Sequence, residues 1–228
     1  MQIKVASIRR YPVKSMGGES LDVVEVDARG LVGDRWYAVT DDQGHLASGK
    51  NTTRFRRRDA VFDYAARTVG SDVVVSGAAA TWTAGAPDLD AELSRAMATR
   101  VRLLPETDVA HQDAGQVSLI GSATLAWCAE RWGIAAESRR LRVNLVVATE
   151  EPFVEEGWIG GEVGIGGVRL RPVERIERCR MIDIDQDGVR ADGRWLKPLG
   201  AERDMCVAIY ADVVTPGVLR VGDAIEVV

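Results

Sequence analysis

The placement of valine constrains the fold more than any other feature of this sequence. The chain holds 30 valines against 15 leucines, and β-branched side chains fit a pleated sheet better than a helix surface. Many of them recur with the period of two that sends alternate side chains to opposite faces of a strand. IKVASIRRYPV (3–13), LDVVEVDARG (21–30) and DVVVSGAAATW (72–82) all read this way. The pattern returns in LRVNLVVAT (141–149), EVGIGGVRLRPVERIERC (162–179) and VAIYADVVTPGVLRVGDAIEVV (207–228). Asp41-Asp42-Gln43-Gly44, between WYAVT and HLAS, predicts a hairpin turn, and Pro216-Gly217 and Gly222-Asp223 predict turns in the last segment.

Two segments change period. In PDLDAELSRAMATRV (87–101), Leu89, Leu93, Ala96 and Met97 fall at helical spacing after an Asp-rich start. A second helix is predicted from Ser122 to Trp132, with Ser122 as its cap, Gly133 as its stop and Leu125, Ala129 and Trp132 as its buried stripe. The fold class expected is therefore a β-rich α+β protein with a few short helices. A soft division near residues 100–115 separates residues 1–105 from 106–228.

Composition limits the function. With 29 basic and 34 acidic residues the formal charge is −5, so no global attraction to nucleic acid or an anionic membrane is expected, and any anion must be bound locally. The start MQIKVASIRRYPVKS lacks an apolar signal-like core, and no run approaches the roughly 18 apolar residues of a membrane span. A cytoplasmic location is expected. Cys128, Cys179 and Cys206 form no CxxC pair, and with only His45 and His111 beside them a structural zinc site is not expected. Arginine outnumbers lysine 25 to 4; genome base composition accounts for this, as does a need for planar, permanently charged forks that grip phosphate or carboxylate.

Four stretches carry candidate chemistry. Tyr11-Pro12-Val13-Lys14-Ser15-Met16-Gly17-Gly18 supplies a cation, a hydroxyl and glycine N–H groups suited to an oxyanion, although a strand ending in a polar turn explains it too. In Gly30-Leu31-Val32-Gly33-Asp34-Arg35-Trp36, Asp34 is placed to orient Arg35; the plainer alternative is a surface ion pair of little energetic weight. If Leu141–Val147 is a strand, Arg142 and Asn144 share one face and Val143 and Leu145 the other, and the polar pair is costly to desolvate without a ligand or a turn. In Glu177-Arg178-Cys179-Arg180, two flanking guanidiniums favour the thiolate, the form that attacks or binds metal. A lone cysteine can equally be a small buried hydrophobe, and Cys128, within the helix pattern, fits that description. The basic run Arg54–Arg58 reads as a solvated loop. His111-Gln112-Asp113 could support acid–base work, but no elbow serine or second histidine completes a hydrolase.

Together these stretches resemble the MOSC domain, the C-terminal fold of molybdenum-cofactor sulfurases, in the branch with an N-terminal β-barrel part that includes the amidoxime-reducing components. YPVKS (11–15), GLVGDRWYAV (30–39), VSLIGSATL (117–125), LRVN (141–144), ERC with DIDQDG (177–188) and PGVLRVGDAIEVV (216–228) occur in the family's order. The resemblance implies a MOSC-type β-barrel with an N-terminal β-barrel subdomain, and a molybdenum–pterin cofactor (Mo-molybdopterin) in a groove between the parts. Cys179 falls on the thiolate that ligates molybdenum. Lys14, Ser15 and Arg35 fall on phosphate- and pterin-contacting positions, Arg142 and Asn144 on residues that hold the pterin, and Ser122 joins this cofactor-binding set.

Val143 replaces a proline, Met16 a cysteine, and Lys50 stands where relatives tend to carry arginine. The implied activity is reduction of hydroxylamines, amidoximes or N-hydroxylated bases, with Asp183 or Asp185 as a proton relay. Electrons would come from a separate ferredoxin, flavoprotein or b-type cytochrome, because the resemblance uses nearly the whole chain and three cysteines do not make an iron–sulfur cluster. Rival readings are a sulfur or cofactor carrier using Cys179, and a barrel that merely binds a small ligand.

Overall fold

The computed structural model describes residues 2–135 and 137–228. Its spine is an eight-stranded sheet that runs Ile225–Val227, Val163–Ile165, Val168–Glu177, Cys206–Thr215, Val117–Gly121, Leu145–Ala148, Lys4–Arg10 and Glu19–Leu21 in spatial order. Neighbours are antiparallel except Val117–Gly121 and Leu145–Ala148, which are parallel. A parallel pair needs a crossover, and the helix Ser122–Trp132 with the short turn Ser138–Leu141 supplies it. Val117–Gly121 is buried along its whole length, as expected of a strand covered on both faces.

Alternation assigns the two faces. Leu119, Leu145, Val147 and Ile209 pack on one side with Val24, Val26 and Leu219 from the three-stranded sheet Gly217–Arg220, Val23–Asp27 and Gly30–Leu31. Ile120 and Val207 point to the other side, where they meet Leu125, Cys128, Trp195 and Leu199. Val5 and Ile3 also exchange backbone hydrogen bonds with Gly222, Asp223 and Ile225, which ties the first strand to the last turn of the chain. The strands Lys4–Arg10, Glu19–Leu21, Val23–Asp27 and Gly30–Leu31 are thus woven into sheets that include C-terminal segments.

Residues between them form a second body. A four-stranded sheet, Val101–Pro105, Tyr37–Asp41, Leu46–Ser48 and Phe55–Arg57, and a three-stranded sheet, Thr81–Thr83, Val73-containing Asp72–Ser76 and Ala65–Val69, share a core with the helix Pro87–Ala96. Leu89 and Leu93 are the fully buried members of that helix. The predicted turn at 41–44 joins Tyr37–Asp41 to Leu46–Ser48. Among the described residues no helix is long and apolar enough to cross a membrane.

Three sequence expectations are corrected. Ser122 does not cap its helix; the Thr149 hydroxyl oxygen accepts the first-turn N–H of Ala123 at 3.1 Å, and the buried Glu155 carboxylate accepts the Gly121 N–H at 2.9 Å and the Thr124 hydroxyl at 2.7 Å. The Ser122 hydroxyl instead accepts the Thr149 N–H at 3.1 Å. Arg142 and Asn144 are not on a strand: Ser138–Leu141 is a helical turn, Arg142 closes it at φ 53°, and the strand begins at Leu145. The basic run is not simply a loop, because Phe55–Arg57 is a strand with Phe55 buried.

Gly133 ends its helix at φ 64°, and a methyl group added there would meet no atom within 4 Å. Only the left-handed backbone then penalises a side chain. Gly133→Ala should therefore lower stability by about 1 kcal/mol in denaturant titration, and a loss above about 3 kcal/mol would require contacts that the structure does not contain.

Candidate functional site

A cleft opens where the loop after the first strand meets the Leu141–Asn144 turn and the Cys179 segment. Its floor is built on Tyr11, which is fully buried. Tyr11 precedes Pro12, so its segment leaves the sheet here, and its ring carries three cations. The Arg142, Arg35 and Arg9 guanidinium carbons lie 4.2, 5.1 and 5.7 Å from the ring centroid, within cation–π range.

Arg35 is fixed from two directions. Asp34, which is completely buried, takes its guanidinium in an ion pair. Arg35 also donates to the Arg142 carbonyl at 3.1 Å, and Asp34 Oδ1 accepts the Tyr11 N–H at 2.8 Å. This is a buried pair, not the surface pair of the plainer sequence reading. Ser15, Arg35 and Arg142 have φ values of 70°, 56° and 53°. Left-handed backbone costs a non-glycine residue on the order of 1 kcal/mol, and it persists where the surroundings over-determine it, commonly at ligand sites.

Arg142 is 8% exposed, and neither of its terminal nitrogens has a hydrogen-bond acceptor in the protein. Arg178 is similar. Its Nε donates to the Val207 carbonyl at 2.9 Å and one terminal nitrogen to the Leu141 carbonyl at 2.7 Å, while the other is buried without a partner. Burial pushes both guanidiniums down to about 10, so each stays charged at neutral pH. Three buried donors on two cations thus line one cleft with no acceptor. Buried donors are rarely left unmatched, and an oxyanion supplies what they lack.

The opposite wall carries a second arrangement. Lys14 Nζ lies 3.3 Å and Lys50 Nζ 3.6 Å from the same Asp113 oxygen, and both ammonium groups sit over the Phe55 ring at 4.8 and 4.9 Å. Burial pushes the Lys14 ammonium down to about 8 against the pull of Asp113. Burial raises the Asp113 carboxyl, but Lys14, Lys50 and Arg35 more than offset this and hold it well below the usual carboxylate range.

Of the residues singled out from sequence, Lys14, Ser15, Arg35, Arg142, Asn144 and Cys179 line this cleft together. Asn144 does so with its amide engaged: Oδ1 accepts the Ser118 N–H and hydroxyl at 3.1 and 2.9 Å, and Nδ2 donates to the Arg9 carbonyl. Cys179 is half-buried, with both flanking arginines in electrostatic contact with it and each also bonded elsewhere. Arg178 donates to the Val207 and Leu141 carbonyls while still lining the cleft, and Arg180 pairs with Asp59 at 2.7 Å and donates to the Gly49 carbonyl. Ser122, Asp183 and Asp185 are not among the lining residues. Asp183 accepts the Trp195 N–H at 2.7 Å and contacts Arg140, and Asp185 accepts the Ala191 N–H at 2.7 Å. Cys128 is fully buried in the helix core, where burial pushes its thiol up to about 12. Sequence reasoning gave Tyr11 no role, read Arg178 only as a neighbour of Cys179 and set Asp113 aside; Arg178 is two residues from the buried Ile176, and that period-two spacing was the available signal for its burial.

The sheet architecture and a cation-lined cleft bearing one thiol define a β-rich α+β protein with one conspicuously basic cleft. The chain belongs to the MOSC family: the MOSC domain matches residues 106–226 and the MOSC N-terminal beta barrel domain residues 2–125. Mitochondrial amidoxime reducing component 2 of Bos taurus is 25% identical, with 97% of this chain and 82% of that protein covered. Molybdenum cofactor sulfurase of Danio rerio is 38% identical over 48 residues, which are 21% of this chain and 6% of that protein. The crystal structure of the YUAD protein from Bacillus subtilis shares the fold, with a TM-score of 0.52 at 15% identity over 100% of this chain and 96% of that one.

His111, beside the cleft, is 6% exposed and burial pushes its imidazole down to about 4. The folded state thus binds its proton less readily than the unfolded chain, whose histidine titrates near 6.5. The stability this gives is present above about 6.5 and lost as pH falls to about 4, with a slope of at most about 1.4 kcal/mol per pH unit. His111→Gln should flatten that part of the stability–pH curve, and an unchanged slope would place the titration elsewhere.

Proposed function

We propose that this protein is a molybdenum-cofactor oxidoreductase that reduces N-oxygenated substrates such as hydroxylamines, amidoximes and N-hydroxylated bases. The observation that carries the reading is the set of three unmatched guanidinium donors on Arg142 and Arg178 in the same cleft as the Cys179 thiol. A pterin phosphate supplies the missing acceptors, and the thiol suits a soft metal. Among the described residues no three His, Cys, Asp or Glu side chains cluster to hold a metal. A metal here would take Cys179 as its protein ligand and the rest from its own cofactor.

In this reading Arg35, Arg142 and Arg178 hold the anionic part of the cofactor, with Ser15 and the Asn144 turn shaping the cradle and Lys14 adding charge to the wall. Tyr11 supports the guanidiniums from below. When bound, the cofactor supplies a centre that accepts oxygen and passes electrons. The electrons come from a separate ferredoxin, flavoprotein or b-type cytochrome, through the small contact usual for such transfers. The relative named for amidoxime reduction supports the substrate class.

Protein made in a cofactor-synthesising host should carry about one molybdenum per chain and release a pterin on denaturation, following the single-thiolate ligand set argued above. Arg142→Ala and Arg142→Lys should both lose that cofactor while staying folded, because a point charge does not replace the planar fork. Cys179→Ser should abolish metal-dependent turnover, whereas Cys128→Ser should keep it. Turnover of an N-hydroxylated base is expected with reduced viologen and not with NADH alone. Folded protein free of metal and pterin from such a host would sink the reading. Loaded protein that turns over no N-oxygenated substrate with any donor would favour a carrier.

A further inference from the structure

Around Phe55 lies a second group of cations, separate from the unmatched donors of Arg142 and Arg178. The Lys14 and Lys50 ammonium groups and the Arg54 guanidinium carbon lie 4.8, 4.9 and 5.2 Å from the ring centroid. One carboxylate answers them: a single Asp113 oxygen lies 3.3 Å from Lys14 and 3.6 Å from Lys50. The Arg54 side chain has no acceptor among the described residues, although two of its guanidinium nitrogens are fully buried. Its charge is close enough to Lys14 to help push that ammonium down. Like charges in mutual repulsion, one of them with buried donors unmatched, are a cost that folding alone gives no reason to carry.

The new members of this group are also spared from structural work. Lys50 and Arg54 bracket the loop that joins Leu46–Ser48 to Phe55–Arg57, and other atoms fasten that loop. The Thr52 hydroxyl oxygen accepts the Arg54 and Phe55 N–H groups, each at 3.1 Å, and Asn51 accepts the Arg57 N–H at 2.8 Å. The Arg54 carbonyl accepts the Leu46 N–H at 3.0 Å, and the Phe55 ring packs with Ala38 and Leu46. Neither cationic side chain is needed for the shape of the loop. Lys50 and Asp113 are partly exposed and line the cleft with Lys14, so the group is open on the cleft side.

We infer that Lys50 and Arg54, with Lys14 at their border with the rest of the cleft, form a second anion subsite that takes a phosphate monoester. Charge selects the ligand. Three cations less one carboxylate leave a surplus of two, which a phosphomonoester dianion matches. A carboxylate or a phosphodiester leaves one cation unanswered. Three terminal oxygens also suit donors that arrive from separate side chains. Phosphate binding here needs neither metal nor turnover. Two sources carry such a group: the terminal phosphate of a pterin cofactor, and a phosphorylated substrate such as the monophosphate of a nucleoside with an N-hydroxylated base. The second source rests on the reductase reading above.

The first test uses purified protein without cofactor and inorganic phosphate as the probe, followed by phosphorus NMR. In Arg142→Ala, where the first set of donors is weakened, phosphate should still bind. Adding Arg54→Met or Lys50→Gln to that background should each weaken binding by about tenfold or more. Arg54→Met should also raise the melting temperature, because an apolar chain replaces buried donors that have no partner; a residue that holds the fold would lower it. Unchanged phosphate affinity in either variant, or a lowered melting temperature in Arg54→Met, overturns the subsite.

Cofactor-loaded protein separates the two sources. If loading abolishes the Arg54-dependent phosphate signal, the cofactor's own phosphate fills the subsite, and Arg54→Met should then carry less pterin. If the signal survives loading, the subsite belongs to substrate. The 5′-monophosphate of N-hydroxycytidine should then show a KM about tenfold or more below that of the nucleoside, and Arg54→Met should remove that preference. Equal KM values for the two in wild type would overturn the substrate source. Loaded wild type without any reductase activity would refute the reductase reading, while the phosphate titration still decides whether the subsite exists.

Discussion

Asp34 is completely buried, and its two oxygens join segments that are distant along the cleft: one accepts the Tyr11 N–H and the other the Arg35 guanidinium. Arg35 then holds the Arg142 carbonyl, and Tyr11 underlies both arginines. One carboxylate therefore fixes the floor of the cleft, the turn after the first strand and the turn at Arg142. Removing one member of a buried, hydrogen-bonded ion pair typically costs about 3–5 kcal/mol, because the other charge is left without compensation. The arrangement is also unbalanced by design of its parts. Asp34 neutralises one guanidinium where three crowd around Tyr11, and Arg9 takes Asp187 as its own partner. Arg142 is the cation left over.

The same loops explain why the cleft lies between two bodies. The first strand pairs with Leu145–Ala148 of the C-terminal half, so Lys14 and Arg35, which follow it, are brought beside the Cys179 segment in one cleft. Two ion pairs then pin that segment across the junction. Arg180 grips Asp59 on the N-terminal side, and Asp187 takes both Arg9 and the Gly18 N–H. The thiol is held by charge on either side of it, while the neighbouring Ile182 packs in the helix core. Exposed pairs such as Arg180–Asp59 contribute little stability; their effect here is on where Cys179 sits.

Much of this could be read before any coordinates. The period-two valines marked the strands, the changed period at 87–101 and 122–132 marked the two longer helices, and six of the residues singled out by chemistry meet in one cleft. The misreadings share a cause. LRVN alternates like a strand, but alternation cannot distinguish four extended residues from a helical turn closed by a left-handed arginine, and here tertiary contacts from Arg35 decided the matter. Asp183 and Asp185 looked like free acids because sequence does not show which backbone N–H groups lie nearby, and both carboxylates are used to hold the 191–196 backbone. Arg178 and Arg180 are adjacent to Cys179 along the chain and both act on it through charge, but sequence does not show that Arg178 also bonds the Val207 and Leu141 carbonyls and Arg180 the Asp59 carboxylate.

The cleft is held in a state that folding alone does not favour. Three of its non-glycine residues occupy left-handed backbone, and two arginines keep buried nitrogens without acceptors. A chain selected only for stability would replace Arg142 with an apolar side chain against Tyr11, since buried charge is commonly worth less than good packing. In the proposed function the strain and the unmatched donors share one origin, which is that the cation positions are set before the anion arrives. Arg142 then needs no rearrangement on binding, because its ring contact and its backbone are already fixed. Preorganised donors in a site shielded from water gain far more from a developing or permanent negative charge than flexible ones do. Under the proposed function the folding cost at Ser15, Arg35 and Arg142 becomes part of how the cleft would bind, with Tyr11 as the platform that makes the arrangement tolerable.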